Sequence, residues 1–432
     1  MGFSQDDFET FLAQRTEPDW LTTARREAWD RFLQMDWPGR REEEWIRTDI
    51  RLFKLHRYAL PLADESQTVP DTVAAALTAG VELGGRVASY NGCSTTSQLD
   101  SHWAEKGVVF GPLDQVVQTH GDLVKKYLFA KAVDPTFDRF ASLHAAAWSG
   151  GMFLFVPRGV VLERPLHSLA TLGDGGVDLG HTLVVLEDGA EATMMCESGS
   201  VTPDGDGFHC GATEIIMGKG AHLRFVNLQD WSTGVWHFAH QKAVIDSDAQ
   251  LQWTIAALGS RLSKVNQHVA LVGPGADSQV NGVMFTEGKQ HLSYHTLQHH
   301  IAPNCHSDFL YKGALQDKSR TVWRGMIKVD PRAQRTDGYQ RNDSLLLSNT
   351  ARADSIPGLE IEADDVRCTH GSTTGRVNDE MIFYAQSRGF TRQEAIRLIV
   401  SGFFQQIFDR VTIENVREAL GHAIARRVRE YE

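Results

Sequence analysis

Four short segments, VVLEDGA, IIMGKGA, AVIDSDA and ALVGPGA, end at Ala190, Ala221, Ala249 and Ala276, at intervals of 31, 28 and 27 residues (221−190, 249−221, 276−249). Each is an apolar run that closes on Gly, Asp or Pro, residues that suit tight turns. The stretch from about Gly151 to about residue 380 is built of such runs and has almost no 3.6-residue periodicity. A sandwich would show turn signals every ~8–12 residues, whereas a solenoid repeats one strand–turn unit per longer coil. The intervals therefore predict a mainly β protein whose core, residues 151–375, is a parallel β-helix.

Helical patterns flank that core. Ser4 is placed to cap a helix through Phe8, Phe11 and Leu12, and a second amphipathic segment carries Trp20, Leu21, Ala24, Ala28 and Phe32 before Pro38-Gly39. Further patterns lie near 113–130 and 136–148, so residues 1–150 read as a helix-rich domain. After Gly375 the helical period returns. Thr391 and Glu394 form a capping box for a helix with Ala395, Leu398, Ile399, Gly402, Phe403 and Ile407 on one side. A second helix from about Ile413 completes a C-terminal helical domain, 376–432.

Composition excludes several functions. A net charge of −12 opposes nucleic-acid binding, which depends on a dense Lys/Arg surface; the cluster Arg426-Arg427-Val428-Arg429 reads as a solvated helix end. No apolar run reaches membrane-spanning length. The opening MGFSQDDFETF is acidic where a secretory signal needs basic residues, and Asp6 stands where a myristoylation motif needs Ser or Thr. A cytoplasmic protein is expected. Cys93, Cys196, Cys210, Cys305 and Cys368 are scattered, odd in number and without a C-x-x-C pair, which predicts reduced thiols that are mostly buried.

The common catalytic signatures are absent. There is no G-x-x-x-x-G-K-[ST] phosphate cradle, G-x-S-x-G elbow or H-E-x-x-H, and Gly273-Pro-Gly275 is a turn without the sequel of a nucleotide motif. A β-helix can also be a carbohydrate-cleaving enzyme, with Asp364-Asp365 or Asp330 and Asp337 as its carboxylates; the simpler reading is turn aspartates that bond nearby backbone. Two histidine-bearing regions remain. His291, His295 and His299 share strand parity, but four-residue gaps span ~13 Å, too far for one metal, so a polar ladder or an interface face is expected. Cys368 and His370 are two residues apart, ~7 Å between Cα atoms, and an extended backbone points both the same way. That is half a metal site or an ordinary Cys and His near a strand end.

The segments SRTVWRGMIKVDPRAQRTDGYQRNDSLLLS (319–348), PGLEIEADDVRCTHGSTTG (357–375), IFYAQSRGFTRQEAIRLIVSGFF (382–404) and EEEWIRTDI (42–50) resemble the SufB/SufD family of iron-sulfur cluster assembly proteins. The resemblance implies the family fold, a right-handed parallel β-helix between N- and C-terminal helical regions, which agrees with the repeat. SufB proteins place the cluster-assembly cysteine four residues after the proline matching Pro357, where this chain has Ile361, and follow the histidine matching His370 with glutamate, where this chain has Gly371. The likeness is therefore to the SufD branch. It implies a non-catalytic scaffold that pairs with SufB through the β-helix, while the ABC-type ATPase SufC, which hydrolyses ATP, docks on the C-terminal helices. His370, with Cys368 as a second donor, would be this chain's contribution to a transient iron-sulfur cluster shared with SufB. Phe390, Thr391, Gly402, Phe403 and Phe404 would face SufC. The resemblance also allows a homodimer without SufB. It links reduced flavin to the assembled complex, although no dinucleotide fingerprint supports flavin here. An autonomous carbohydrate enzyme and an independent iron or cluster carrier are the competing readings.

Overall fold

The four repeat segments are successive corners of a parallel β-solenoid. In this computed structural model, which describes residues 2–39, 41–62 and 75–428, the residue before each repeat alanine has a positive φ: 66° at Gly189, 63° at Gly220, 57° at Asp248 and 76° at Gly275. Gly and Asp tolerate that region, which explains their place in the repeat. The alanines that follow are fully buried in the lumen. Corner stacks on corner through the backbone, because the N–H groups of Gly189, Gly220, Asp248 and Gly275 donate to the carbonyls of Lys219, Ser247, Pro274 and Pro303.

The ladder continues where the sequence repeat fades. Asn304 (φ 59°) precedes buried Cys305, and Arg335 (φ 58°) precedes buried Thr336. Asn304 donates to the Gln334 carbonyl and Arg335 to that of Asp365. Cys305 thus occupies the alanine position of a later corner, and its burial follows from the coil geometry.

Two ten-stranded sheets face each other across the lumen, each coil supplying one strand to each. Pairing is parallel except at the start, where Cys93–Leu99 runs antiparallel to Gly85–Tyr90 and Val109–Pro112 antiparallel to Gly151–Val156. The sheets therefore begin at Gly85, within the segment whose sequence reads as helix-rich. Gly85–Tyr90 is held extended by parallel pairing with Leu166–Leu172, a long-range contact that outweighs weak local preference.

The helical segments cover opposite outer faces. On one sheet, Phe53 and Phe140 pack on Phe208, Trp236 and Phe238, with the Phe140 and Phe238 rings stacked at 3.8 Å. Arg25, fully buried, donates to both Glu17 oxygens at 2.7 and 2.8 Å and to the Ala146 carbonyl. On the other sheet, Val400, Phe404 and Ile407 of the helix Arg392–Phe408 meet Val283, Leu310 and Ala314. No helix among the described residues is long and apolar enough to cross a membrane. Arg429 of the basic cluster lies outside the described residues.

Candidate functional site at the open end of the solenoid

The strand register sets the site. One lumen-facing column runs Met194, Phe225, Trp253, Val280, Phe309, Gln340, His370, each in register with the next. It is apolar and buried through Phe309. Gln340 then donates to the carbonyls of Gly358 (3.0 Å) and Gly325 (3.5 Å) across the lumen, and the last rung, His370, is exposed. The neighbouring column ends Ser278, Ser307, Gly338, Cys368. On the facing sheet a third column runs Ile245, Leu271, His300, Val329, Ile361. Cys368, His370 and Ile361 are therefore all terminal rungs of lumen columns, where no further coil covers them. The two strands that carry them, Arg352–Ile361 and Val366–Arg376, contain no buried residue, and Leu359 and Ile361 are 38% and 40% exposed.

Cys368 and His370 share parity, as their spacing requires, but their surroundings differ. Cys368 is half-buried against a small cluster containing Ile327, Val329, Ala333 and Ala363. Burial raises its thiol pKa above the usual value; the Gly338 N–H lowers it, and the charge of Asp337 raises it further. Gly338 leaves a gap behind the thiol: a Cβ there would lie 3.4 Å from Cys368 Sγ and 3.5 Å from His300 Nε2. His300 Nε2 lies 2.8 Å from the Ser307 hydroxyl, which donates to Gln298 at 2.6 Å. Among the described residues no three His, Cys, Asp or Glu side chains are grouped to hold a metal. What this end offers is two donors on uncovered lumen rungs, His370 exposed and Cys368 half-buried, and their support.

The other histidines form a ladder on the outer face. Glu44, from the EEEWIRTDI segment, lies 2.5 Å from His295 Nδ1 and accepts from Arg324 at 2.9 Å, with Lys264 3.6 Å away. Burial raises the Glu44 pKa, but the His295 hydrogen bond and the charges around it outweigh this and hold it at about 2. Thr48 donates to Ser293 at 3.0 Å in the same contact, and His299 pairs with Asp330 at 2.9 Å. Within this row it is His295, with Ser293, that fastens the N-terminal segment to the sheet. The aspartates read above as possible carboxylate pairs are spread among different partners: Asp337 faces Arg367, and the Asp365 carbonyl accepts from Arg335. All five cysteines are free thiols, with Cys210 and Cys305 buried.

At the C-terminus, Thr391 and Glu394 form the expected capping box. Phe390 is 45% exposed and Gly402 is exposed, but Phe403 is half-buried beneath Lys312, and Phe404 is fully buried against the sheet and so unavailable to a partner. More exposed apolar residues of this region had no place among the expected contacts: Phe383 at 72%, Tyr384 at 61% and Met381 at 58%. Leu398, expected on the apolar side of its helix, is 57% exposed because the buried face turns through Ile396, Val400 and Phe404 instead. The run MIFY within Asp379–Ser387 was the available signal, since one helix face cannot bury four successive apolar residues.

These features define a β-solenoid protein with helical flanks that presents a Cys/His pair on the uncovered rungs of its last coil. The family model for the SUF system FeS cluster assembly SufBD core domain matches residues 170–403, and the SufBD protein N-terminal region matches 7–167. The chain belongs to the SufBD family of iron-sulfur cluster assembly proteins. It is similar to an iron-sulfur cluster assembly SufBD family protein of Staphylococcus aureus (strain USA300), 25% identical over 435 residues covering 96% of this chain and 93% of that one. A SufBD family protein of Mycobacterium leprae (strain TN) is 34% identical over 296 residues, 66% of this chain and 74% of that one.

Proposed function

We propose that this chain is the SufD-type member of the SUF system, a non-catalytic cytoplasmic scaffold that pairs with SufB and SufC while an iron-sulfur cluster is assembled and handed on. The observation that carries the reading is the terminal coil. Ile361 stands where the resemblance puts the SufB cluster cysteine, and its saturated sec-butyl side chain gives iron no ligand, so this chain's donors are His370 and Cys368. Both edges of that coil have unpaired backbone groups, which a second solenoid can satisfy by strand pairing. SufB is the proposed partner, and a second copy of this chain can use the same edges when SufB is absent. The cluster is cargo held between the two chains. His370, exposed at the rim, is the stronger donor; Cys368, half-buried, is a second ligand or a support.

Residues 151–375 would then form the pairing unit, residues 1–150 a flanking helix-rich domain, and residues 376–432 the unit that docks SufC, where ATP is hydrolysed. Phe390, with Phe383, Tyr384, Met381 and Leu398, supplies the docking face. Co-expression with SufB and SufC is expected to yield one complex, and His370→Ala to leave it intact while lowering its iron and acid-labile sulfide. A parental cluster yield in that variant removes the role of His370. Failure to co-purify with either partner removes the SufD assignment.

A further inference from the structure

We propose that the N-terminal region contains a binding site for a small aromatic organic anion, independent of the cluster site. A cavity of about 830 Å³ opens between the end of the helix Asp19–Gln34 and the segment 50–56. That volume lies within the ~300–1,000 Å³ typical of ligand pockets. Phe32, Leu33 and Trp37 line it from the helix side, and Ile50, Phe53 and Leu55 from the other. Leu33 and Trp37 remain 50% and 41% exposed, so an apolar wall is left open to water.

The charges at this cavity are almost all of one sign. Arg51, Lys54, His56 and Arg139 line it, on a chain whose net charge is −12. Asp7 is the one acidic residue in the lining, and its carboxylate is engaged by Ser4 and the Gly2 N–H in the helix cap. Arg51 is paired with Asp49. Lys54 and His56 form no ion pair among the described residues, and Arg139 forms none either, although it lies in the field of the nearby Asp36 carboxylate. The Arg139 guanidinium lies 4.5 Å from the ring centroids of both Phe32 and Trp37, which orients it, and its buried Nε has no partner.

Aromatic walls favour a flat ring, and the Lys54 ammonium, the Arg139 guanidinium and the ring N–H of His56 favour an anionic substituent on it. The acidity of the whole chain disfavours a polyanion, so the occupant is a small molecule with one or two negative groups. Naphthalene-2-sulfonate serves as the probe and 2-methylnaphthalene as its neutral counterpart, each titrated against the full chain by equilibrium dialysis. Saturable one-to-one binding of the sulfonate is expected, weakened by salt. The variant Lys54→Glu/His56→Glu changes two exposed residues and is expected to fold, with circular dichroism as the check, while weakening binding by about tenfold or more. Arg139→Gln is expected to weaken it similarly. Unsaturable binding, equal uptake of the neutral compound, or parental affinity in the charge-reversed variant overturns the proposal.

Discussion

Phe383→Gln separates the two kinds of apolar residue in the C-terminal helices. A phenylalanine carries ~150–250 Å² of buriable surface. With Phe383 72% exposed, roughly 140 Å² remains for a partner to cover, or ~3 kcal/mol at ~25 cal/mol per Å². Immobilising the side chain takes back ~1 kcal/mol. The remaining ~2 kcal/mol corresponds to an expected loss of about 30-fold in affinity for SufC, the partner proposed for this face. Folding should change by no more than ~0.5 kcal/mol, because the side chain touches little of its own protein. Phe404→Ala has a different cost: this ring is fully buried on the sheet, and its removal should cost ~3–5 kcal/mol of stability. Calorimetric titration with SufC and urea unfolding of the free chain measure the two effects. Parental SufC affinity in Phe383→Gln refutes the docking face. Equal destabilisation by the two variants refutes the division between surface and core.

At the solenoid corners, Ala249→Leu should destabilise by ~1–3 kcal/mol because it overpacks a closed lumen, whereas Cys305→Ala, which restores the repeat residue, should cost less than ~1.5 kcal/mol in urea titrations. Glu44, held at about 2, contributes stability above its unfolded pKa near 4.5, which is lost as pH falls toward 2. Because its side chain is 42% exposed, the stability gap between parent and Glu44→Gln should be only ~1 kcal/mol at neutral pH, and it should close in acid; a gap that widens there contradicts the network. Gly338→Val places atoms against Cys368 Sγ and His300 Nε2. It should push the thiol outward and speed its labelling by a disulfide reagent, with unchanged labelling indicating that the gap does not position Cys368.

How much the sequence reveals depends on whether a feature is local. The capping box at Thr391 and Glu394 needs only residues three apart, and it formed as read. The parity of His291, His295 and His299 follows from strand geometry alone. The use of His295 as an anchor does not, because its partner Glu44 lies 251 residues away along the chain. Phe383 and Phe404 look alike as apolar helix residues, and only packing against the sheet distinguishes surface from core.

The strand–turn repeat, with the lack of helical periodicity around it, made the solenoid legible in the sequence. A coil that stacks on its predecessor through backbone hydrogen bonds must return to a left-handed corner and a small lumen residue at a nearly constant interval, and that constraint is written into the chain. The pair Cys368 and His370 was visible for the same reason of period two. Only the tertiary structure decided that these residues, with Ile361, are the last rungs of three lumen columns. Whether a lumen position is core or surface depends on whether another coil follows, and the period of the strands is the same in either case.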